Sequence, residues 1–314
     1  MEIERHRGKI LPISTLFETG SIRALLEYMD APTPQSSTLI EIQPNGSRPP
    51  LFVVPGIGGD PIALSSLARA LGPNQPVYGL QSRGIDGRER PQTSIEEIAA
   101  TNIKAMDLVK ASDSFVLCGQ CWGSAVALEM AQQFAANNHA PEMLIVFDPA
   151  EHQGNLSAAV KLDPAFSKIR FLVNRLKLYW SEFRESDGQE RFALLKDKGV
   201  LLLNMLKKRD TLTGVRTEIY RETVMAANMK ALLNYSVSAY SHPVRAIFTM
   251  DRDQQVADIR QEWLQIVASS ESVIYVPGKH TWDAMSLVNV RFFADAIRNI
   301  VDELSDHYEP DTPT

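Results

Sequence analysis

Cysteine is nearly absent from this sequence: Cys118 and Cys121 are the only two in 314 residues. A chain of this length can build its core without covalent staples, which excludes a disulfide framework. Long apolar runs are missing too. None approaches the ~20 residues that a membrane helix needs, and the longest, near Val200 to Leu206, is broken by Asn204. The opening MEIERHRGKILPIST carries five charges and no apolar h-region, so a secretory leader is not expected. Positive charge is not in excess, with 32 Lys and Arg against 38 Asp and Glu for a net charge of -6. Nucleic acid and anionic membranes are therefore poor partners. The expectation is a soluble, cytoplasmic protein. No second cysteine pair and no histidine pair at zinc spacing occurs, so no metal is expected.

What the sequence does have is alternation. Short apolar runs at Leu51 to Val54, Val77 to Leu80, Phe115 to Cys118, Met143 to Phe147, Val244 to Thr249 and Ser272 to Val276 read as buried strands. Amphipathic stretches at Ile62 to Leu71, Ile95 to Ala111 and Ala125 to Ala136 lie between the early ones. Strands alternating with helices predict an α/β fold with a mostly parallel sheet covered on both faces. Residues 151 to 241 break the rhythm. Phe166, Ile169, Val173, Leu176, Trp180 and Phe183 recur at helical spacing, and Phe192 to Leu206 and Thr217 to Tyr235 read as helices as well. A helical insertion between two strands predicts a lid over about 152–240. Within 163–210 there are 11 Lys and Arg against 7 Asp and Glu. That reads either as a solvated helix face or as a docking surface for an acidic partner.

At the N-terminal side, Ile22, Leu25, Leu26 and Met29 form one face of a short helix that Thr19 or Ser21 can cap. Residues 32–49 are rich in Pro, Ser, Asn and Gly around one apolar island, Leu39 to Ile42, and read as a linker. A ten-residue helix cut off by a linker cannot bury its own apolar face. It is an edge decoration or the end of another domain. The polar tail 305–314 should fray.

The segment FVLCGQCWGSA at 115–125 is a strand, a glycine-flanked turn and a helix. Gly119 and Gly123 bracket Cys121 in the G-x-nucleophile-x-G pattern of a nucleophile elbow. The helix N-terminus should favour negative charge there and lower the thiol's pKa. Twenty-seven residues on, a strand ends at Asp148; far downstream another ends in Pro277-Gly278-Lys279-His280. Nucleophile, acid, histidine is the chain order of α/β-hydrolase triads. Asp148 is the preferred acid and Asp253 its main rival, with Asp251 beside it. Among six histidines, His280 alone follows a strand at the expected place. His6, His139 and His307 read as surface residues, and His152 and His242 as weaker candidates. The first strand runs into PGIGG at 55–59, which lacks the Lys-Ser/Thr of a phosphate-binding loop. In an α/β-hydrolase it supplies one oxyanion-hole N–H beside that of the residue after the nucleophile, which assigns the amides of Ile57 and Trp122. Cys118-Gly-Gln-Cys121 is also a C-x-x-C, so a redox pair is the competing reading. Cys118 closes a strand and should point into the core, which weighs against it.

These pieces resemble a terminal (type I) thioesterase domain of nonribosomal peptide and polyketide synthetases. The resemblance rests on PLFVVPGIGG, PVYGLQSRGIDG, SIEEIAATNI, GQCWGSAVALEMA, LIVFDPAE and VPGKHTWDAM, and runs over nearly the whole chain from about Pro50. The opening GKILPISTLFETGSIRALLEYM resembles the last part of a carrier domain without its phosphopantetheine-bearing serine. The implied organisation is a carrier fragment at 1–31, a linker at 32–49 and a catalytic domain at 50–304. The resemblance implies that Cys121 takes the acyl chain from the carrier's phosphopantetheine thiol. His280 then acts as base, Asp148 orients it, and no cofactor is bound by the domain itself. Cysteine in place of the usual serine, Ser124 where a second glycine is common, and the bulk of Trp122 depart from the pattern. Transfer from one thioester to another retains acyl activation. Release by intramolecular cyclisation to a lactone or lactam is therefore favoured over hydrolysis. A stand-alone editing thioesterase and a catalytically dead carrier-binding module are the other readings.

Overall fold

The computed structural model describes residues 21–30, 38–87, 89–107, 114–150, 212–238, 240–250, 260–261, 263–266, 272–277 and 290–306. His280, Asp251, Asp253, the helices expected at 166–183 and 192–206 and the whole basic stretch 163–210 lie outside them. The elements run α1 (Ile22–Asp30), β1 (Leu39–Gln43), β2 (Leu51–Val54), a 3-10 turn (Pro61–Ala63), α2 (Leu64–Leu71), β3 (Val77–Leu80), α3 (Ile95–Met106), β4 (Val116–Gln120), α4 (Gly123–Ala136), β5 (Met143–Phe147), α5 (Leu212–Leu233), β6 (Val244–Thr249), β7 (Val273–Val276) and α6 (Val290–Asp306). The chain divides into two compact units, Gly154–Arg216 with Met1, and the remainder. Every element but the first residues of α5 belongs to the second.

The seven strands form one sheet in the order β1-β3-β2-β4-β5-β6-β7, all parallel except β1. Alternate side chains divide between two faces. Phe52, Val54, Leu117, Leu144, Val146 and Phe248 pack under α3 and α4, while Leu51, Val53, Val116, Cys118, Ile145 and Ile247 pack under α2 and α6. Both faces are dry, which is why these strands read as continuous apolar runs. Each fully buried aliphatic side chain contributes about 1.5–3 kcal/mol. Helix α3 starts on a capping arrangement in which the Ser94 hydroxyl accepts the Glu97 N–H at 3.3 Å, with Glu96 and Glu97 in the first turn.

Two of the expected domain boundaries, those of the linker and of the tail, shift. The island Leu39 to Ile42, placed in the linker, is an edge strand: Leu39 pairs Leu80, Ile40 pairs Gly79 and Glu41 pairs Tyr78. An edge strand needs a ladder on one side only, so it tolerates the Pro and Gly that flank it and that mimic a linker in sequence. The C-terminal helix continues through Asp306, two residues into the expected tail. The helix expected at 217–235 is α5.

Candidate active site

Parallel strands deliver their C-terminal ends to one edge of the sheet, and Cys121 and Asp148 lie there. Gln120 at the end of β4 pairs with Phe147 at the end of β5, so Cys121 and Asp148 are the next residues on adjacent strands. Their backbones are stitched across: the Cys121 N–H donates to the Phe147 carbonyl at 3.0 Å, and the Asp148 N–H donates to the Ile247 carbonyl at 2.9 Å. Both are left-handed, with φ of 51° at Cys121 and 41° at Asp148. Among the described residues Asn138 is the one other non-glycine with positive φ. A side chain held there costs about 1 kcal/mol or more and persists where the surroundings enforce it.

The surroundings here are the two glycines of the elbow. A Cβ on Gly119 would fall 2.4 Å from the Ser124 Cα, and one on Gly123 would fall 2.4 Å from the carbonyl oxygens of Val54 and Pro55. Neither position admits a side chain, so strand and helix approach closely and the turn between them projects Cys121. Ser124 is fully buried and its hydroxyl donates to the Gly119 carbonyl at 2.8 Å, closing the turn from inside. This is what a serine contributes at the position where a second glycine is common.

The thiol environment corrects one expectation. Burial pushes the Cys121 thiol from 9.0 up to about 11; the backbone N–H of Trp122 opposes this, and the nearby Asp148 carboxylate adds to it. One N–H at the head of α4 is outweighed by loss of water around the sulfur. A thiol raised in this way needs a base before it can attack.

Asp148 is buried, and its Oδ1 accepts two hydrogen bonds from Thr249 at the end of β6, from N–H at 2.8 Å and from Oγ1 at 3.0 Å. The Thr249 carbonyl in turn accepts from Arg260, whose guanidinium lies over the Phe248 and Tyr275 rings at 5.8 and 5.9 Å. Thr249 pairs with Val276, the last residue of β7, four positions before His280. His139 and His242 are exposed and precede β5 and β6, at the opposite edge of the sheet. Cys118 lies fully buried on the α2 and α6 face, and both cysteines are free thiols. Among the described residues no group of three or more His, Cys, Asp or Glu is placed to hold a metal ion. Nor is any described helix long and apolar enough to cross a membrane.

The glycine-rich loop after β2 borders the elbow, with Gly56 beside the Cys121 Cβ. The Gly59 N–H donates to the Gly56 carbonyl at 2.8 Å and closes a tight turn, with Gly59 at φ 68°. Trp122 is buried, and its indole N–H donates to the Asn228 carbonyl on α5 at 2.8 Å. The Asn228 side chain donates to the Ile57 carbonyl at 2.9 Å and to Ser82 Oγ at 3.1 Å. Sequence reading missed Thr249 and Asn228. A signal existed for the second: Asn228 is a polar residue in the buried stripe Val224, Ala231, Leu232 and Tyr235.

A sheet of this topology with an elbow and a buried acid at neighbouring strand ends defines an α/β-hydrolase. Residues 49–282 match the thioesterase domain family, and the chain belongs to it. Over 143 residues it is 32% identical to a dimodular nonribosomal peptide synthase of Bacillus subtilis, covering 45% of this chain and 6% of that one. The chain spans less than a tenth of the length of the curated relatives it matches first. Its fold aligns with the NocB thioesterase domain in covalent complex with a fluorophosphonate nocardicin G analog at a TM-score of 0.58 and 21% identity. That alignment covers 83% of this chain and 98% of the other. It also aligns with a four-domain nonribosomal peptide synthetase, holo-AB3403 bound to AMP and glycine, at a TM-score of 0.62 and 21% identity, over 95% of this chain and 23% of that one.

Proposed function

We propose that this domain releases a peptidyl or polyketidyl chain delivered on the phosphopantetheine of an upstream carrier domain, in the cytoplasm, without a cofactor of its own. His280 takes the Cys121 proton as the sulfur attacks the thioester carbonyl. The carbonyl oxygen becomes an oxyanion facing the amides of Ile57 and Trp122. The carbon–sulfur bond to pantetheine then breaks, and the proton passes from His280 to the departing thiol. Asp148 orients His280 and stabilises its charged form. The observation that carries this reading is the pairing at one sheet edge of a left-handed Cys121 with a buried Asp148 that Thr249 holds in place. Asp148 is favoured over Asp253 for that reason.

Acyl transfer to cysteine keeps the chain activated, since one thioester replaces another. That favours release by attack of an internal hydroxyl or amine, giving a lactone or lactam, with water as the alternative nucleophile. Residues 1–31 are read as the end of a carrier domain. In support, Ile22 and Leu26 of α1 are exposed, and the four-domain synthetase aligns over a larger share of this chain than does an excised thioesterase domain. The C-x-x-C redox reading loses ground because Cys118 is fully buried.

Product analysis with the carrier-bound chain tests the proposal. A cyclic product that depends on Cys121 supports it, and release that persists in Cys121→Ala refutes the nucleophile. If Cys121→Ser yields the same ring at an undiminished rate, retained activation is not the reason for the cysteine.

A further inference from the structure

We infer that Asn228 is a positioning residue for the oxyanion hole, an assignment that rests on the reading of Ile57 and Trp122 as its donors. Helix α5 lies along the active-site loops through one row of residues at helical spacing. A Cβ on Gly87 would sit 2.2 Å from the Tyr220 ring, so that ring packs directly on the loop after β3. Arg221 pairs with Asp60. Val224 faces Gly59, where an added Cβ would be 3.2 Å away. Asn228 follows at the next turn of the same face, buried to 1% exposure.

Three hydrogen bonds leave this one residue. Its Nδ2 donates to the Ile57 carbonyl and to Ser82 Oγ, and its own carbonyl accepts the Trp122 indole N–H. In a trans peptide the C=O and N–H point in opposite directions. Ile57 therefore sits between two clamped peptide planes. Gly59 N–H holds the Gly56 carbonyl, and Asn228 holds the Ile57 carbonyl, so the direction of the Ile57 N–H is fixed. The buried indole fixes Trp122, whose backbone N–H touches the Cys121 thiol. Asn228 thus reaches both donor residues from outside the hole, without touching the reacting atoms. It couples the geometry of the hole to α5.

The test compares two reactions of Cys121 in the full chain. Acylation by the hexanoyl thioester of N-acetylcysteamine, read as a hexanoyl mass increase, passes through an oxyanion. Alkylation by iodoacetamide does not. Asn228→Asp, which sets an acceptor against the Ile57 carbonyl, and Asn228→Leu should slow acylation at saturating thioester about 10- to 100-fold, below the loss for a deleted donor. Half-saturation should barely move, and alkylation should slow by much less than acylation, because the Trp122 N–H also favours the thiolate. Ser82→Ala is the milder variant, keeps the Ile57 contact, and should slow acylation about 2- to 10-fold, as expected for one neutral hydrogen bond. Acylation and alkylation falling by the same factor would overturn the inference in favour of a merely structural role. So would unchanged acylation in the Asn228 or Ser82 variants. A wild-type protein that never acquires the Cys121 adduct would instead overturn the functional reading, and this inference with it.

Discussion

Replacing Asp148 by Asn should move two reactions of Cys121 in opposite directions. Burial raises the thiol from 9.0 to about 11, with the Trp122 N–H opposing and the Asp148 charge adding to the rise. At pH 8 about one Cys121 in a thousand is then ionised, against about one in ten for an ordinary thiol, so iodoacetamide should react about 100-fold more slowly than with an exposed cysteine. The amide in place of the carboxylate would remove the neighbouring negative charge while keeping the side-chain shape. The thiol pKa falls and alkylation at pH 8 accelerates. In the proposed mechanism acyl transfer needs His280 oriented and charged in the transition state, and should lose on the order of 10³- to 10⁴-fold without its acid. The assay is the pseudo-first-order loss of the free Cys121 peptide by mass between pH 6 and 10, beside single-turnover acylation of the same samples. In the wild-type protein the alkylation rate should climb tenfold per pH unit without a plateau. Asp253→Asn should leave both reactions as they are. A plateau with an apparent pKa below 8, or slower alkylation in Asp148→Asn, would overturn this assignment of charge. Either result means that the resting site holds a thiolate paired with imidazolium, which Asp148 would stabilise.

Thr249→Val keeps the N–H bond to Asp148 and deletes the hydroxyl bond of 3.0 Å. Loss of a hydrogen bond to a charged group should cost about 1.5–3 kcal/mol in urea unfolding and should slow acylation. Gly123→Ala places a methyl 2.4 Å from two backbone carbonyls. Neither can swing aside, so destabilisation of about 3 kcal/mol, at the upper end for overpacking, should appear as a lowered Tm. Cys118→Ala leaves a small void on the fully buried α2 and α6 face. It should lower the urea midpoint by the equivalent of about 1 kcal/mol while acylation at Cys121 continues, which a redox pair would not permit.

The strands at β2, β3, β5 and β6 were legible to the residue because both faces are buried and the runs are unbroken. β1 was hidden because an edge strand is too short and too proline-flanked to differ from a linker. At the site, the elbow turn and the place of Asp148 at a strand end are legible because their pattern is local: glycines two residues either side of Cys121, and an acid closing an apolar strand. The thiol's pKa was misjudged because a helix terminus is visible in sequence whereas desolvation is a property of the packed site. Thr249 and Asn228 act over separations of 101 and 171 residues from Asp148 and Ile57. No local pattern encodes such pairings, although a polar residue inside an apolar helical stripe was a sign at Asn228.

The chemistry proposed for this site depends on Cys121 carrying the acyl chain. Intact-mass and peptide analysis after incubation with an acyl-pantetheine thioester tests it most directly. One acyl group is expected on the peptide containing Cys121, bound as a hydroxylamine-labile thioester, formed in the wild-type protein and absent from Cys121→Ala. Acylation elsewhere, or a Cys118–Cys121 disulfide as the sole modification, would contradict it.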